Sequence, residues 1–257
     1  MTKNLNRRKF SLLSKKKLFY TFFFILFTTI ILITYLQKNL FIRNFDKAIN
    51  LFSETFDYQF LHFTVNNLYQ VEETYLKYTL KKYKNSSIFL LPLEKISNEI
   101  KENNWIKDIK LRTNYKDTLI IDIEEYESLG IYKFNDKFFY FDSNGKIIDE
   151  VNNKNIFNDN LIIFIGQSSN LNSKSIIDIL SSLKFQKKFK IKNIYFINKR
   201  RWNIILNNNI KLMLSENNPK NSIENFIDLE KKLSETEMNN IKSFDLRNIN
   251  KVIIDYN

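Results

Sequence analysis

Three carboxylates that lie close together in the sequence are the residues with the clearest capacity for chemistry. Asp122 and Glu124 are two residues apart in a segment of alternating apolar and polar side chains, and Glu125 follows directly. In a β-strand this spacing places Asp122 and Glu124 on one face with their carboxyl groups roughly 6 to 7 Å apart, close to the separation that paired carboxylates use in glycosidases. The same pattern is typical of a solvated strand face, which is the interpretation that the sequence favours.

Other reactive residue types are scarce in this chain. It has no cysteine, a single histidine, His62, and three widely separated glycines, Gly130, Gly145 and Gly166. Thiolate nucleophiles, Cys/His zinc sites and HExxH helices are therefore excluded, and a phosphate-binding loop would need several glycines within one turn. His62 alternates with apolar residues, so we interpret it as a solvated or half-buried strand residue. The sequence thus predicts no catalytic residue, no metal-binding residue and no cofactor.

An uncharged apolar segment near the N-terminus predicts a membrane anchor. Residues 18–37 contain no charged side chain. As a helix with a rise of about 1.5 Å per residue, this segment would cross the roughly 30 Å core of a bilayer. It ends in Tyr35, Leu36 and Gln37 instead of the small residues of a signal-peptide cleavage site, so the anchor is expected to stay uncleaved.

The distribution of basic residues predicts the orientation of this anchor. Seven basic residues and no acidic one precede it, whereas mixed charges follow it. By the positive-inside rule, the tail of residues 1–17 stays in the cytoplasm, and residues 38–59 form a juxtamembrane stalk on the other side. The chain is thus predicted to be a single-pass type II membrane protein. Besides Lys3, the orienting residues are Arg7, Arg8, Lys9, Lys15, Lys16 and Lys17.

The net charge does not predict nucleic-acid binding. The chain has 40 basic and 28 acidic residues, which give a formal net charge of +12. Seven of these positive charges belong to the predicted cytoplasmic tail, where they orient the anchor, so only +5 is left for the rest of the chain. A nucleic acid is therefore not an expected partner.

Apolar periodicity divides the part after the stalk into two domains of an α+β fold. Residues 60–126 show the order strand, helix, helix, strand, strand, with helices expected near 71–83 and 92–103. Residues 127–257 show short alternating strands separated by turn signals, with flanking helices near 173–189 and 222–233, and they predict a mostly antiparallel β-domain. Trp105 and Trp202 lie in alternating apolar regions, so both are expected in the core.

The last predicted strand lies at the end of the strand order. A strand at a sheet edge has unpaired N–H and C=O groups, and it can bind an extended segment of a partner by β-augmentation. It can equally be an ordinary edge strand that is protected by its charged residues, here Lys251 and Asp255. The residues alone leave both interpretations open. The strand comprises Lys251, Val252, Ile253, Ile254, Asp255 and Tyr256.

Five short motifs occur in an order that resembles one known family. Residues 104–112, Asn-Trp-Ile-Lys-Asp-Ile-Lys-Leu-Arg, are similar to a Pro-Trp-Val passage, and residues 115–121 are similar to a Tyr/Trp-Pro-Asp-x-Leu-x-Ile strand entry. Residues 142–145 resemble an Ile-Asp-x-x-Gly turn, 200–208 a Trp-x-Leu-x-Leu-x-Asn-Gly hairpin, and 245–247 an Asp-Leu-Arg motif. These motifs, behind a single anchor, resemble the bacterial FtsQ/DivIB family, in which a POTRA domain of strand-helix-helix-strand-strand order follows the membrane segment.

The resemblance to FtsQ/DivIB implies a non-enzymatic assembly protein of the divisome. It implies an inner-membrane location at the division septum with the C-terminal part in the periplasm. FtsB and FtsL are the chief implied partners, within a wider set that includes the septal wall synthase and FtsK/FtsN-type proteins. No small-molecule substrate is implied. The two alternatives are a membrane-anchored cell-wall-acting enzyme that uses the paired carboxylates, and another POTRA-containing envelope assembly factor.

The resemblance also favours particular contact residues. It favours partner binding over simple edge protection for the strand of residues 251–256. Arg200, Arg201 and Arg247 become the expected charged contacts, because Arg200 and Arg201 precede the hairpin strand and Arg247 ends the Asp-Leu-Arg motif. Arg200 and Arg201 can equally be a solvated pair at the start of that strand. A guanidinium group can bind a partner carboxylate through two parallel hydrogen bonds.

Overall fold

The structure is a computed structural model, and it describes residues 15–151, 161–248 and 250–257. Its contacts form two compact units. The first contains the described residues up to 64 together with 80–93 and 111–120, and the second contains 65–79, 94–110 and the described residues from 121 onward. Helices and strands are both abundant, so the predicted α+β class is confirmed.

Two helices, α1 (Lys15–Leu36) and α2 (Lys38–Thr55), form the N-terminal part of the first unit. Among the described residues, no single helix is long and apolar enough to cross a membrane. The pair Phe19–Ile33 and Lys38–Thr55 reaches that length and apolarity together, with a bend of 61° between its members. The predicted single transmembrane helix at 18–37 is therefore not confirmed. Of the predicted orienting residues, Arg7, Arg8 and Lys9 lie outside the described residues, and Lys15, Lys16 and Lys17 begin α1.

The segment of residues 60–126 has the predicted order of elements. They are β1 (His62–Asn66), α3 (Glu73–Leu80), α4 (Leu93–Ile100), β2 (Ile106–Thr113) and β3 (Thr118–Glu125). The strands form a three-stranded sheet in the order β1-β3-β2. Apolar residues spaced by three and four positions define α4, and they leave Ile96 and Ile100 fully buried. Both helices are shorter than predicted, and a 3-10 turn at Lys81–Tyr83 replaces the last turn of the first one.

The remaining strands form one nine-stranded sheet, in the order β12-β11-β10-β9-β8-β7-β4-β5-β6. Five neighbouring pairs are antiparallel, and the pairs β10/β11, β7/β8 and β4/β7 are parallel. The predicted mostly antiparallel β-domain is therefore confirmed. The strands are β4 (Gly130–Phe134), β5 (Lys137–Phe141), β6 (Ile147–Glu150), β7 (Ile163–Ile165), β8 (Ile191–Ile197), β9 (Arg201–Leu206), β10 (Lys211–Leu214), β11 (Ile241–Asn248) and β12 (Lys251–Tyr256).

The core of this sheet lies on one face, where helices cover it. The helices are α5 (Ser169–Ser182), α6 (Phe185–Lys188), α7 (Pro219–Glu230) and α8 (Glu235–Asn239). A single row of paired apolar side chains crosses six strands on this face, and it packs in the same cluster as buried residues of α5, α6 and α7. The row consists of Phe164, Ile194, Ile204, Leu212, Phe244 and Ile254.

Trp202 belongs to this core, as predicted. It is 6% exposed and stacks on Phe196 with a ring-centroid distance of 4.3 Å. Gly166 allows the chain to pass close to β8, because a Cβ atom at this position would lie 2.4 Å from the carbonyl oxygen of Phe196. Its φ of +115° is also a conformation that side chains with a Cβ atom rarely adopt.

The helix predicted at residues 173–189 is two helices instead of one. Lys184, between α5 and α6, has a φ of +50° and interrupts the helix. In an unbroken helix Phe185 would lie about 140° around the axis from the buried Leu180, on the side facing away from the sheet. The interruption redirects Phe185 into the core, where its ring contacts those of Phe189 and Phe226.

Candidate partner interface

Strand β12 is one edge of the nine-stranded sheet. On one side it pairs with β11 in antiparallel register, with Ile253 opposite Asp245 and Ile254 opposite Phe244. Among the described residues, no strand pairs with its other side. The edge position predicted for residues 251–256 is therefore confirmed, whereas binding of a partner there stays a prediction.

The backbone groups of β12 alternate between β11 and the open edge. The amide of Asn257 donates to the carbonyl of Asn240 at 2.9 Å, so it faces β11. Because successive residues of a strand direct their N–H and C=O groups to opposite sides, the amide of Ile253 also faces β11. The amides of Ile254 and Tyr256 face the open edge instead. These groups are available to an added strand.

The side chains of β12 also alternate. Val252 and Ile254 are half-buried and pack against the helix-covered core. Ile253 is on the other face and is 54% exposed, and Tyr256, at the end of the strand, is 55% exposed. The edge therefore combines open backbone groups with the exposed apolar side chains of Ile253 and Tyr256, and it also carries two exposed charged residues, Lys251 and Asp255. An added strand would find apolar contacts on both faces.

The register of the sheet places the predicted charged contacts at one end. Arg201 begins β9, which is antiparallel to β10, and Arg247 is near the end of β11, which is parallel to β10. Lys251, opposite Asn248, begins β12 at that same end. Two strands lie between β9 and β12, which separates them by about 14 Å. We call Arg200, Arg201, Arg247 and Lys251 the cationic end of the sheet.

The arginines of the cationic end differ in their availability. Arg200 lies in the turn before β9, and its guanidinium is 3.5 Å from the carboxylate of Glu216 in an ion pair that is open to solvent. Arg201 is half-buried, and its Nε is buried without a hydrogen-bond partner among the described residues. Arg201 is therefore less accessible than an exposed contact residue, whereas Arg200 presents its charge to solvent.

Arg247 is held by a neighbour on its own strand. Asp245 precedes it by two residues, so both side chains are on the same face of β11. The Nε of Arg247 donates to both carboxylate oxygens of Asp245, at 2.8 and 3.0 Å. These hydrogen bonds lower the pKa of the Asp245 carboxyl below its ordinary value, and the charge of Arg201 acts weakly in the same direction. Asp245 and Glu216 were not predicted as part of the site. Only the Asp-x-Arg spacing on a strand could have indicated the first of them.

The carboxylates considered for catalysis hold structural contacts within the second unit. Glu125 accepts hydrogen bonds from the backbone amides of residues 69–71, at 3.0, 2.7 and 3.2 Å, and so fixes the loop before α3. Asp122 accepts one from the side-chain amide of Asn66 at 2.7 Å. His62 is exposed on β1, as predicted. Among the described residues, no group of three or more His, Cys, Asp and Glu side chains could hold a metal ion.

A cavity of about 930 Å³ lies beside these carboxylates in the second unit. Trp105 and Tyr140 contribute to its wall, with ring centroids 5.0 Å apart. Glu124 also lines the cavity and forms an ion pair with Lys107. Trp105 is thus half-buried instead of lying in the core, and this prediction was wrong. The residue precedes the first residue of β2, Ile106, so the alternation of that strand does not control where its side chain points.

Comparisons with known proteins agree with this architecture. Residues 130–247 match the family described as "Cell division protein FtsQ/DivIB, C-terminal", and residues 60–126 match "POTRA domain, FtsQ-type". Cell division protein FtsQ of Rickettsia felis is 30% identical over 189 residues, which cover 72% of this chain and 67% of that protein. The FtsQ proteins of Rickettsia prowazekii and Zymomonas mobilis are 28% and 24% identical, over 189 and 157 residues. The first covers 72% of this chain and 67% of that protein, and the second covers 61% and 49%.

These matches and the fold define a protein with an FtsQ-type POTRA domain followed by a β-domain with an open edge strand. The two matched regions follow one another in the order that the resemblance predicted. The chain belongs to the cell division protein FtsQ/DivIB family. The predicted resemblance is confirmed, and cell division is the process in which the chain acts.

Proposed function

We propose that this chain is a non-enzymatic assembly protein of the divisome that binds its partners as an added strand on β12. The observation that carries the proposal is the position of β12 at the sheet edge, where no described strand pairs with its outer side. The outward amides of Ile254 and Tyr256 would supply backbone hydrogen bonds to the partner, and Ile253 would supply apolar contact. The partners proposed are FtsB and FtsL, within a wider set of the septal wall synthase and FtsK/FtsN-type proteins.

The cationic end adds a charge preference to this site. Four basic residues, Arg200, Arg201, Arg247 and Lys251, face two acidic ones, Glu216 and Asp245, so the end carries a formal excess of positive charge. Arg200 lies about 14 Å from β12, so it would be reached only by a partner chain that continues across the cationic end, whereas a carboxylate near the end of the added strand would gain a charge-assisted hydrogen bond to Arg247 on β11. The proposed partner segment is therefore extended, apolar at alternate positions and acidic at one end.

The proposal includes an anchor in the inner membrane. In it, residues 18–37 cross the bilayer, residues 1–17 stay in the cytoplasm, and the POTRA domain (60–126) and β-domain (127–257) lie in the periplasm at the septum. Support comes from the uncharged apolar segment of residues 18–37 and from α1, whose apolar side chains from Phe19 to Ile33 are exposed all around the helix. A reporter that is active only outside the cytoplasm is expected to work after Asn257 and to fail before Met1. The reverse result would contradict this orientation.

The carboxylate contacts favour assembly over catalysis. Glu125 accepts hydrogen bonds from three backbone amides, and Asp122 accepts one from the side chain of Asn66. Glu124 forms an ion pair with Lys107. These contacts stabilise the fold around them and account for the three side chains without a reaction. Purified chain that degrades cell-wall glycans would favour the alternative of a membrane-anchored enzyme.

The partner proposal is tested by co-purification of the full chain with FtsB and FtsL from the same organism. Reversal of both Arg200→Glu and Arg201→Glu is expected to weaken capture, because the acidic end of the partner would then be repelled. Ile254→Pro in the edge strand β12 is expected to abolish capture, and its matched control is Ile147→Pro in β6, which is the opposite edge of the same sheet. Equal loss of capture from both edges would show that β12 is not the specific site.

A further inference from the structure

Helix α2 has a stripe of exposed aromatic side chains. Phe41, Phe45, Ala48 and Phe52 recur at spacings of four, three and four residues, so they share an arc of about 60° around the helix. Phe41 is 73% and Phe45 is 59% exposed. We call these four residues the aromatic stripe. A water-soluble surface seldom leaves such a continuous apolar strip uncovered, so the stripe indicates a contact surface.

The opposite side of α2 is polar, and one flank is fixed to the first unit. Arg43, Lys47 and Asn50 lie on the side away from the stripe. Between the two sides, Ser53 is 1% exposed and its Oγ is 2.7 Å from the Oγ of Ser87. The helix is therefore attached to its unit through a flank near its C-terminal end, and this attachment leaves the N-terminal half of the stripe uncovered.

The bend between the first two helices determines what the stripe can reach. If α1 crosses the bilayer along its normal, the 61° bend inclines α2 by only about 30° from the membrane plane. Its 18 residues are about 27 Å long, so α2 rises by about 13 Å along the normal. Its first two turns then remain within the 5 to 10 Å depth at which interfacial helices bury their apolar faces.

We propose that α2 is an interfacial helix whose aromatic stripe binds the surface of an anionic bilayer. This inference rests on the proposed membrane anchor and adds a second attachment to it. The charges near the bend fit that surface, since Lys38, Arg43 and Lys47 outnumber the single acidic residue Asp46 among residues 38–47. The same charges keep α2 out of the hydrocarbon core, where each would be costly.

The other candidate occupant is a helix of a partner or of a second copy. The spacing of the stripe would suit a coiled-coil seam, but such seams are built mainly from Leu, Ile and Val. Here Phe occupies three of the four positions. Phe is typical of the apolar face of interfacial helices, and the bend brings this face toward the bilayer.

The chain contains no cysteine, so single cysteines can be labelled without background. We would attach a nitroxide label at Phe41→Cys and Phe45→Cys, with Arg43→Cys and Asn50→Cys as controls on the opposite side. Phe24→Cys in α1 reports on the anchor itself. The full chain is reconstituted in vesicles of phosphatidylcholine and phosphatidylglycerol, and collision rates with oxygen and with a water-soluble nickel chelate are measured by electron paramagnetic resonance.

The inference predicts that labels at Phe41 and Phe45 collide with oxygen more than with nickel, and that labels at Arg43 and Asn50 show the reverse. Nickel access at all four positions, with Phe24 shielded from nickel, would overturn the interfacial helix and leave the anchor intact. Exclusion of both reagents at Phe41 and Phe45 would assign the stripe to a protein contact and also overturn it. Nickel access at Phe24 would overturn the anchor, and the inference with it.

Discussion

Proline at position 254 is expected to remove partner binding while β11 and β12 stay paired. The amide of Ile254 faces the open edge, so Ile254→Pro deletes a donor to the partner and no hydrogen bond to β11. Removing this donor leaves the partner carbonyl buried without a hydrogen bond, which costs about 1–3 kcal/mol. That cost would raise the Kd for FtsB/FtsL by roughly 5- to 150-fold.

The cost of this change to the fold is smaller. The side chain of Ile254 is half-buried against the core, so its truncation to a proline ring is expected to cost about 1 kcal/mol. That corresponds to a fall in Tm of about 2–4 °C for a chain of this size. Ile254→Val is the matched control, because it trims the side chain and keeps the amide. It should lose similar stability and keep wild-type capture.

A second proline tests the orientation of the backbone. The amide of Ile253 faces β11, so Ile253→Pro breaks a bond within the sheet and is expected to lower the free energy of unfolding by about 1–3 kcal/mol. Melting curves of the full chain in detergent and titrations with purified FtsB/FtsL measure both effects. Wild-type affinity of a folded Ile254→Pro variant would refute strand addition at β12. Unchanged melting of Ile253→Pro would refute the assigned amide orientation.

Three further outcomes are expected. Trp202→Ala should cost about 3–5 kcal/mol in chemical denaturation, because the ring is buried against Phe196, and a loss below about 1 kcal/mol would contradict its core position. Arg200→Glu should weaken partner capture without changing the melting transition, whereas Arg247→Glu should weaken capture and also lower Tm, because it replaces the partner of Asp245 with a second carboxylate. Capture by the wild-type chain should fall as salt rises, and salt-independent capture would argue against the cationic end. The folded-state pKa of Asp245 is depressed, so its stabilisation is present above the unfolded pKa of about 4 and is lost as pH falls through the lower folded pKa. Asp245→Asn should therefore make stability less dependent on pH in melts below about pH 5, and an unchanged acid profile would contradict the pairing.

The elements of the fold and the hairpin of β9 with β10 were largely predictable from local patterns, whereas the parallel pairs of the sheet were not. Alternation along residues 251–256 and 202–206 predicted β12 and β9, because a half-buried strand shows its two faces directly in its sequence. The parallel pairing of β10 with β11 depends on the packing of the intervening α7, so the local sequence of the two strands does not indicate it. That pairing is what brings Arg247 to the same end of the sheet as Arg201.

Predictions for individual side chains were wrong where a local interruption of the strand or helix overrides its apolar periodicity. Trp105 was expected in the core because apolar alternation follows it, but it precedes β2 and faces the cavity. The helix predicted at residues 173–189 breaks at Lys184, a residue type with no special preference for positive φ. In that case burial of Phe185 outweighs the strain of the left-handed conformation, and only tertiary packing shows this.

The internal ion pairs at the cationic end have a consequence for selectivity. Asp245 and Glu216 already occupy Arg247 and Arg200, so any incoming anion must compete with a carboxylate that is tethered beside each arginine. A free carboxylate in solution does not displace these tethered carboxylates, because it would lose translational freedom on binding and would gain no additional contact. In the proposed binding mode, a carboxylate on a segment that already lies along β12 would share the remaining guanidinium donors of Arg247. Charge recognition would then follow strand pairing and would not replace it.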